Sequence, residues 1–359
     1  MANHFHSIKI KKVIKETTDC ISVVFDIPKE LQSTFEFREG QNITIKKIIN
    51  GEEIRRSYSI CNAPYEQELK IAIKKVNGGL FSSFANEELS KNDVLDILPP
   101  TGKFSAHLST KTNPNYLAIA AGSGITPVIS IIKHTLHQQP NSKFTLVYGN
   151  KNRQSIIFFE ELENLKNRFM DRFTFINVLS KEKTDTDIVY GRIDEHKLSE
   201  LNKLIDYKIF DEAYLCGPSE MIFSSVDYLS KMGMDKNRIR FELFNTPGQT
   251  IKSSIAIAEK ENNNGPTSNV SIKLDGRTFS FNLDYNGINI LDAALQQGAD
   301  LPYACKGGVC CTCRAKLING NVKMDVNYAL EQEEIEQGFI LTCQSHPVTE
   351  NVIIDFDVK

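Results

Sequence analysis

Four cysteines near the C-terminal end constrain this chain more than any other feature. Cys305, Cys310 and Cys313 stand as C-x4-C-x2-C inside the segment Pro302–Cys313, and Cys343 follows within Phe339-Ile-Leu-Thr-Cys-Gln344. This is ligand spacing for a [2Fe–2S] cluster. Two iron atoms need four thiolates at tetrahedral positions. A tight loop can wrap three of them around one side, and a distant segment supplies the fourth. Gly307 and Gly308 let the loop turn sharply and bring backbone N–H groups toward the sulfurs. Zinc is the competing use, but zinc sites favour paired C-x2-C units or histidines, and only one such pair is present. Cys311, between the ligand positions, reads as a packed bystander.

The segment Pro302–Phe356, including Val322-Lys-Met-Asp325 and Ile340-Leu-Thr-Cys-Gln-Ser-His-Pro347, resembles the ferredoxin domain of phenylacetyl-CoA oxygenase reductase subunits. That family joins a ferredoxin-NADP reductase module to a C-terminal plant-type ferredoxin. The expected architecture is therefore multidomain: an antiparallel β-barrel for FAD over 1–110, an α/β parallel-sheet nucleotide domain over 111–244, a linker over 245–269, and an α+β, β-grasp-like ferredoxin domain over 270–359.

Composition agrees with such a chain and excludes several others. A length of 359 residues suggests two or three domains. The net charge of -3 gives no basic surplus for nucleic acid or an anionic membrane. The Lys-rich start has no apolar core of a secretory signal. The longest apolar stretch, Tyr116–Ile132, is interrupted by Gly122, Ser123, Gly124, Thr126 and Pro127. It reads as strand, turn and helix, not as a membrane span. Eight cysteines without a signal argue against a disulfide scaffold and for the cytoplasm.

Taken in order, Ile8–Lys15, Ile21–Ile27, Gln41–Ile49, Arg56–Cys61 and Leu69–Val76 are short β-branched runs. Asn50-Gly51 marks a hairpin between two of them, and the regular spacing suggests a closed barrel. Inside lies Arg55-Arg56-Ser57-Tyr58-Ser59-Ile60, which resembles the R-x-Y-S motif of the ferredoxin reductase family. The resemblance implies FAD binding: Arg56 on the pyrophosphate as a planar donor fork, Tyr58 stacked on the isoalloxazine, Ser59 near flavin N5. Gly78-Gly79-Leu80-Phe81-Ser82-Ser83 then opens a short helix. Gly79 permits close backbone approach, and helix N–H groups with Ser82 would receive phosphate. Lys74 and Phe81 join this cofactor-binding set, and Leu98–Phe104 closes the barrel.

Beyond residue 111 strand and helix patterns alternate, which implies a parallel sheet. The strand Tyr116–Ala121 leads through Gly122-Ser-Gly-Ile-Thr-Pro127 into a helix whose stripe is Ile125, Val128, Ile129, Ile132 and Leu136. Gly122 and Gly124, placed after a strand and before a helix, can face a nucleotide pyrophosphate. The family resemblance gives Thr126 a place near flavin and nicotinamide, and gives Cys216-Gly217-Pro218 the task of holding the nicotinamide. Cys216 is a positioning residue on this reading, since no base stands beside it to activate a nucleophile. Phe244 is the aromatic candidate for the flavin's second face. Arg153 and Lys181, at basic and neutral strand ends, predict a 2′-phosphate contact and a preference for NADPH, with NADH possible.

Residues 245–269 have linker composition, and that stretch predicts a ferredoxin domain that alternates between FAD and a separate acceptor. Asp275-Gly276 is a second hairpin signal. Leu291, Ala294 and Leu295 share a helix face, and Glu331–Glu336 reads as a solvated acidic face. The seven histidines show no metal-ligand spacing.

NAD(P)H yields a hydride, whereas a [2Fe–2S] cluster accepts one electron at a time, and a flavin connects the two. The module order thus states a path from nicotinamide through FAD to the cluster and on to an external acceptor. The resemblance makes that acceptor a di-iron oxygenase that epoxidises the ring of phenylacetyl-CoA. The chain itself carries no Glu-x-x-His pairs for such a site. A reductase of the same architecture for another hydroxylase or a desaturase, and a redox-sensing module, are the alternatives.

Overall fold

The computed structural model describes residues 4–106, 111–184, 186–244 and 266–358. The linker reading falls largely on residues outside these, as does the alternating ferredoxin domain built on it. Residues Phe5–Phe244 form one compact unit, and the C-terminal residues form a second.

The first half of the larger unit is a six-stranded antiparallel barrel of β1 (His6–Thr17), β2 (Cys20–Asp26), β3 (Asn42–Ile49), β4 (Glu52–Ser59), β5 (Lys70–Lys74) and β6 (Val94–Ile97), in the order β4-β3-β6-β1-β2-β5. The Ile60–Ile71 bridge joins the two edges and closes it. Alternating isoleucines and valines fill the interior: Ile8, Ile10, Val23, Ile43, Ile45, Ile71 and Ile73. Asn50 and Gly51 both take positive φ, the turn geometry that suits the twist of the β3–β4 hairpin. The four-residue β6 was not anticipated as a strand. Helix α1 (Leu80–Glu87) crosses the barrel and buries Phe81 and Ala85.

The second half is a five-stranded parallel sheet in the order β11-β10-β7-β8-β9. Its strands are β7 (Asn115–Ala121), β8 (Lys143–Asn150), β9 (Phe173–Leu179), β10 (Glu212–Gly217) and β11 (Ile239–Leu243), with helices α2 (Ile125–Gln138), α3 (Phe159–Arg168), α4 (Glu195–Leu201) and α5 (Ser219–Lys231) between them. Near-continuous apolar strands such as Tyr116–Ala120 suit a sheet covered on both faces. The expected apolar stripe of α2 is fully buried. The strand order reverses beside β7, and α/β sheets bind ligands at the C-terminal strand ends beside such a reversal.

The second unit contains β12 (Thr267–Leu274), β13 (Arg277–Asp284), α6 (Ile290–Gln296), β14 (Arg314–Asn319), β15 (Val322–Met324), α7 (Gln332–Glu336), β16 (Phe339–Leu341), β17 (Ser345–Pro347) and β18 (Asn351–Asp355). Its main sheet runs β13-β12-β18-β14-β16, with β12 and β18 parallel. Ile290, Leu291, Ala293 and Ala294 bury one face of α6, giving a helix packed on a mixed sheet. Asp275 and Gly276 again take positive φ in the hairpin turn. The acidic helix α7 departs from the expected solvated face. Glu334 is buried and ion-paired with Arg314, because its side chain also closes the helix N-terminus by accepting the Glu331 N–H at 3.1 Å.

Candidate flavin, nucleotide and cluster sites

The four predicted cluster cysteines pair off. Cys310 Sγ lies 3.1 Å from Cys305 Sγ, and the Cys313 and Cys343 thiols are near enough that each shifts the other's affinity for its proton. Among the described residues no three donors converge on one point as a mononuclear metal would require. Two pairs of sulfurs fit a dinuclear cluster instead, one pair for each iron. In each pair N–H groups face one of the two sulfurs. Gly307 N–H points at Cys305 Sγ at 3.3 Å, and Gln344 Nε2 lies 3.5 Å from Cys343 Sγ. The Cys310 thiol and the backbone N–H groups of Gly307, Val309 and Cys310 hold the Cys305 thiol below its ordinary range. Lys306 takes a positive φ within this turn, and Gln344 Nε2 also donates to the Lys306 carbonyl at 3.0 Å. Cys311 Sγ turns away to the Ala329 carbonyl at 3.1 Å.

Part of the expected flavin and nucleotide set meets at the C-terminal ends of β7 and β10 and the facing barrel strands. Ser59 Oγ donates to Glu242 Oε2 at 3.1 Å. Glu242 is the register partner of Cys216 in the parallel pair β10–β11. Gly124 presses on the Cys216 carbonyl so closely that an added Cβ would stand 2.1 Å from that oxygen. A Cβ on Gly122 would meet Lys74 Nζ of the barrel at 3.8 Å, and Tyr148 Oη donates to the Gly122 carbonyl at 2.7 Å. Thr126, buried, closes the turn by donating to the Ser123 carbonyl at 3.0 Å. Gly217 and Pro218 lead into α5. The elements thus bring Ser59, Lys74, Gly122, Gly124, Thr126 and Cys216 together where the barrel meets the C-terminal ends of β7 and β10. Burial, and then the neighbouring Glu242, push the Cys216 thiol well up, which favours its protonated form.

Arg56 is exposed, with Nη1 donating to the Arg55 carbonyl at 2.7 Å. Half-buried Tyr58 rests on Phe81, ring centroids 5.7 Å apart. The Phe81 side chain lies in the barrel core, so it supports Tyr58, and any contact with a cofactor falls to its backbone. Ser82 Oγ accepts the Val76 N–H at 3.1 Å and donates to the Gly79 carbonyl, which ties the turn before α1. Phe244 is exposed at the end of the unit.

Glu242 and Glu182 escaped the sequence reading. Glu242 stands in an ordinary strand pattern, and only the fold brings it to Ser59. Burial pushes its carboxyl up to about 7, with the Ser59 hydroxyl pulling the other way. A carboxyl raised in the folded state adds stability at low pH, and that contribution is lost as pH climbs through about 7. Melting temperatures of the native protein minus those of Glu242→Gln should therefore decline between about pH 4.5 and pH 7.5; a flat difference would remove Glu242 from this account. Glu182 Oε2 accepts the Arg153 N–H at 2.8 Å, while the Arg153 guanidinium lies over Phe159, 4.7 Å from the ring centroid. The cue for Glu182 was its place directly after Lys181.

Three family models match the chain: an oxidoreductase FAD-binding domain over residues 7–106, an oxidoreductase NAD-binding domain over 118–227, and a 2Fe-2S iron-sulfur cluster binding domain over 272–348. The chain is 42% identical over 356 residues to a subunit of the 1,2-phenylacetyl-CoA epoxidase of Escherichia coli (strain K12), covering 99% of this chain and 98% of that protein. It is 30% identical to the ferredoxin reductase component of 3-ketosteroid-9-alpha-monooxygenase of Rhodococcus rhodochrous, covering 97% and 96%. Among solved structures it matches phthalate dioxygenase reductase with a TM-score of 0.57 at 20% identity over 98% of each chain.

Proposed function

The chain belongs to the family of oxygenase reductase components that carry FAD-binding, NAD-binding and [2Fe–2S] domains in one polypeptide, and from that premise we propose that it serves a di-iron oxygenase acting on phenylacetyl-CoA, with NADPH as the reductant. The 42% identity to an epoxidase component over nearly the whole chain carries this reading. Bound FAD and the cluster supply the conversion of a nucleotide hydride into single electrons for the oxygenase.

The protein's own residues orient and insulate. Arg56, Gly79 and the start of α1 would hold the FAD pyrophosphate, and Tyr58, backed by Phe81, would support the ring. Ser59 and Glu242 form a hydrogen-bonded pair at the barrel edge, and Glu242 can hold or release a proton at Oε2 near neutral pH. Gly122, Gly124 and Thr126 would present the turn to the nucleotide, with buried Cys216, Gly217 and Pro218 behind it. Cys305 with Cys310, and Cys313 with Cys343, would each hold one iron. No disulfide joins the described cysteines, which suits the reducing cytoplasm, and no described helix is long and apolar enough to cross a membrane.

Mixing the protein with the oxygenase component of a phenylacetyl-CoA epoxidase should couple NADPH oxidation to substrate turnover. Efficient reduction of an artificial acceptor with no coupling to that oxygenase would reassign the partner. On the nucleotide side, Arg153 and Lys181 should favour the 2′-phosphate, and Glu182 should oppose it. Glu182→Gln removes a like-sign repulsion of about 1 kcal/mol, so kcat/KM for NADPH over NADH should rise about fivefold. A native kcat/KM for NADH equal to or above that for NADPH would sink the preference.

A further inference from the structure

Helix α2 has a second face that its apolar stripe conceals. Ser130, Lys133, His134 and His137 follow one another at helical spacing, and all four meet the barrel. Ser130, wholly buried, donates to the Asn62 carbonyl and receives the Gly40 N–H at 3.4 Å. His134 Nε2 lies 3.5 Å from Glu39 Oε2, and Glu39 in turn accepts the Ala106 N–H at 3.0 Å. His137 stacks on Tyr65 with centroids 4.1 Å apart.

Lys133, only 3% exposed, is the centre of this face. Its ammonium donates to both oxygens of Glu66 at 3.2 and 3.0 Å and also pairs with Glu161. Glu161, on α3, pairs in turn with Lys70 of β5 at 3.2 Å. Charges therefore alternate along a row centred on one buried member: half-buried Glu66 from the barrel, buried Lys133 from α2, half-buried Glu161 from α3 and half-buried Lys70 from the barrel. Burial opposes the Glu161 carboxylate, yet Lys133 and Lys70 hold it below its ordinary range. Breaking one member of such a row strands its partners, whereas neutralising Glu66, Lys133 and Glu161 together removes the ionic link between the halves without leaving a buried charge unpaired. The N-terminal end of this same helix carries Thr126 and continues from the Gly122–Gly124 turn.

We propose that the polar face of α2 straps the nucleotide half to the barrel as one cooperative body, with Lys133 as the positioning residue that fixes the nicotinamide turn against the flavin strands. Nothing in the cofactor motifs requires this row. The claim of one cooperative body stands apart from the cofactor assignments, and the claim about hydride transfer rests on them.

The test uses the full chain with Lys133→Met, and with Glu66→Gln/Lys133→Met/Glu161→Gln. The triple variant leaves no buried charge unpaired on this row except the Lys70 ammonium at its edge, and so guards against simple failure to fold. Hydrogen exchange read by mass spectrometry should show residues 60–70 and α2 exchanging about 10-fold faster or more in both variants, while β1 and β8 keep native protection. Calorimetry should resolve the single transition of the two halves into two. Rapid-mixing reduction of the flavin by NADPH should slow by about 10-fold or more at saturating nucleotide, with the apparent Kd changed by less than about threefold, as displacement of a reacting group predicts. Tyr65→Ala, at the exposed end of the face, should give a smaller change of the same kind. Native exchange at 60–70 and α2 in the triple variant overturns the strap. Faster exchange with an unchanged reduction rate per bound flavin retains the cooperative body and overturns the positioning role. Loss only of nucleotide affinity does the same.

Discussion

Gly124→Ala should slow reduction of the flavin by NADPH about 100-fold while leaving the content of FAD and iron near native. The reason is spatial. The methyl group would stand 2.1 Å from the Cys216 carbonyl oxygen and 2.8 Å from the Gly217 nitrogen. Those are backbone atoms of a central sheet strand, which cannot rotate aside as a long side chain can. The turn would move instead, and with it Thr126 and the start of α2. A misplacement of about 1 Å at a reacting centre commonly costs on the order of 100-fold. Overpacking should also lower stability by about 1–3 kcal/mol. Rapid-mixing absorbance at the flavin band measures the rate, and a native rate with full FAD would show that the Gly124 contact does not set the nucleotide's position.

Cys343→Ser should abolish delivery of electrons to an acceptor downstream of the cluster, to below about a hundredth of native, and leave flavin reduction by NADPH unchanged. Cys343 lies in the second compact unit, whose core is separate from that of the barrel and the nucleotide sheet. The same result is expected for Cys305→Ser, Cys310→Ser and Cys313→Ser. Cys311→Ser should retain its iron, since Cys311 Sγ donates to the Ala329 carbonyl. Iron analysis with electron paramagnetic resonance of the reduced protein reads both outcomes. Iron lost from Cys311→Ser, or kept in Cys343→Ser, would redraw the ligand set.

What could be read from the sequence were features that neighbours in the chain specify. Asn50-Gly51 and Asp275-Gly276 encode their hairpins locally. The alternation of apolar strand and amphipathic helix from Tyr116 to Leu243 encodes a parallel sheet, because each strand must be covered on both faces. Cys305, Cys310 and Cys313 lie close enough together that spacing alone carries their chemistry. The features that escaped are set by distant contacts. Strand β6 is four residues long and pairs with β1 and β3 by position in the barrel, not by a turn signal. Glu242 meets Ser59 across 183 residues of chain. Glu334 reads as one more charge in an acidic run until Arg314 is placed beside it. The polar face of α2 is hidden for a further reason. A periodicity search follows the apolar stripe and assigns polar residues to solvent, and here that opposite side is a second buried interface.

The most direct measurement is an anaerobic titration with NADPH, followed at separate flavin and cluster wavelengths. Uptake of about three electrons per chain is expected, two at the flavin and one at the cluster, so that about 1.5 equivalents of NADPH complete it. In rapid mixing the flavin band should bleach first and the cluster band after it, and protein stripped of FAD should leave the cluster oxidised. An end point of about one equivalent with the cluster still oxidised, or a cluster reduced by NADPH in the absence of FAD, would contradict the path from nucleotide through flavin to iron.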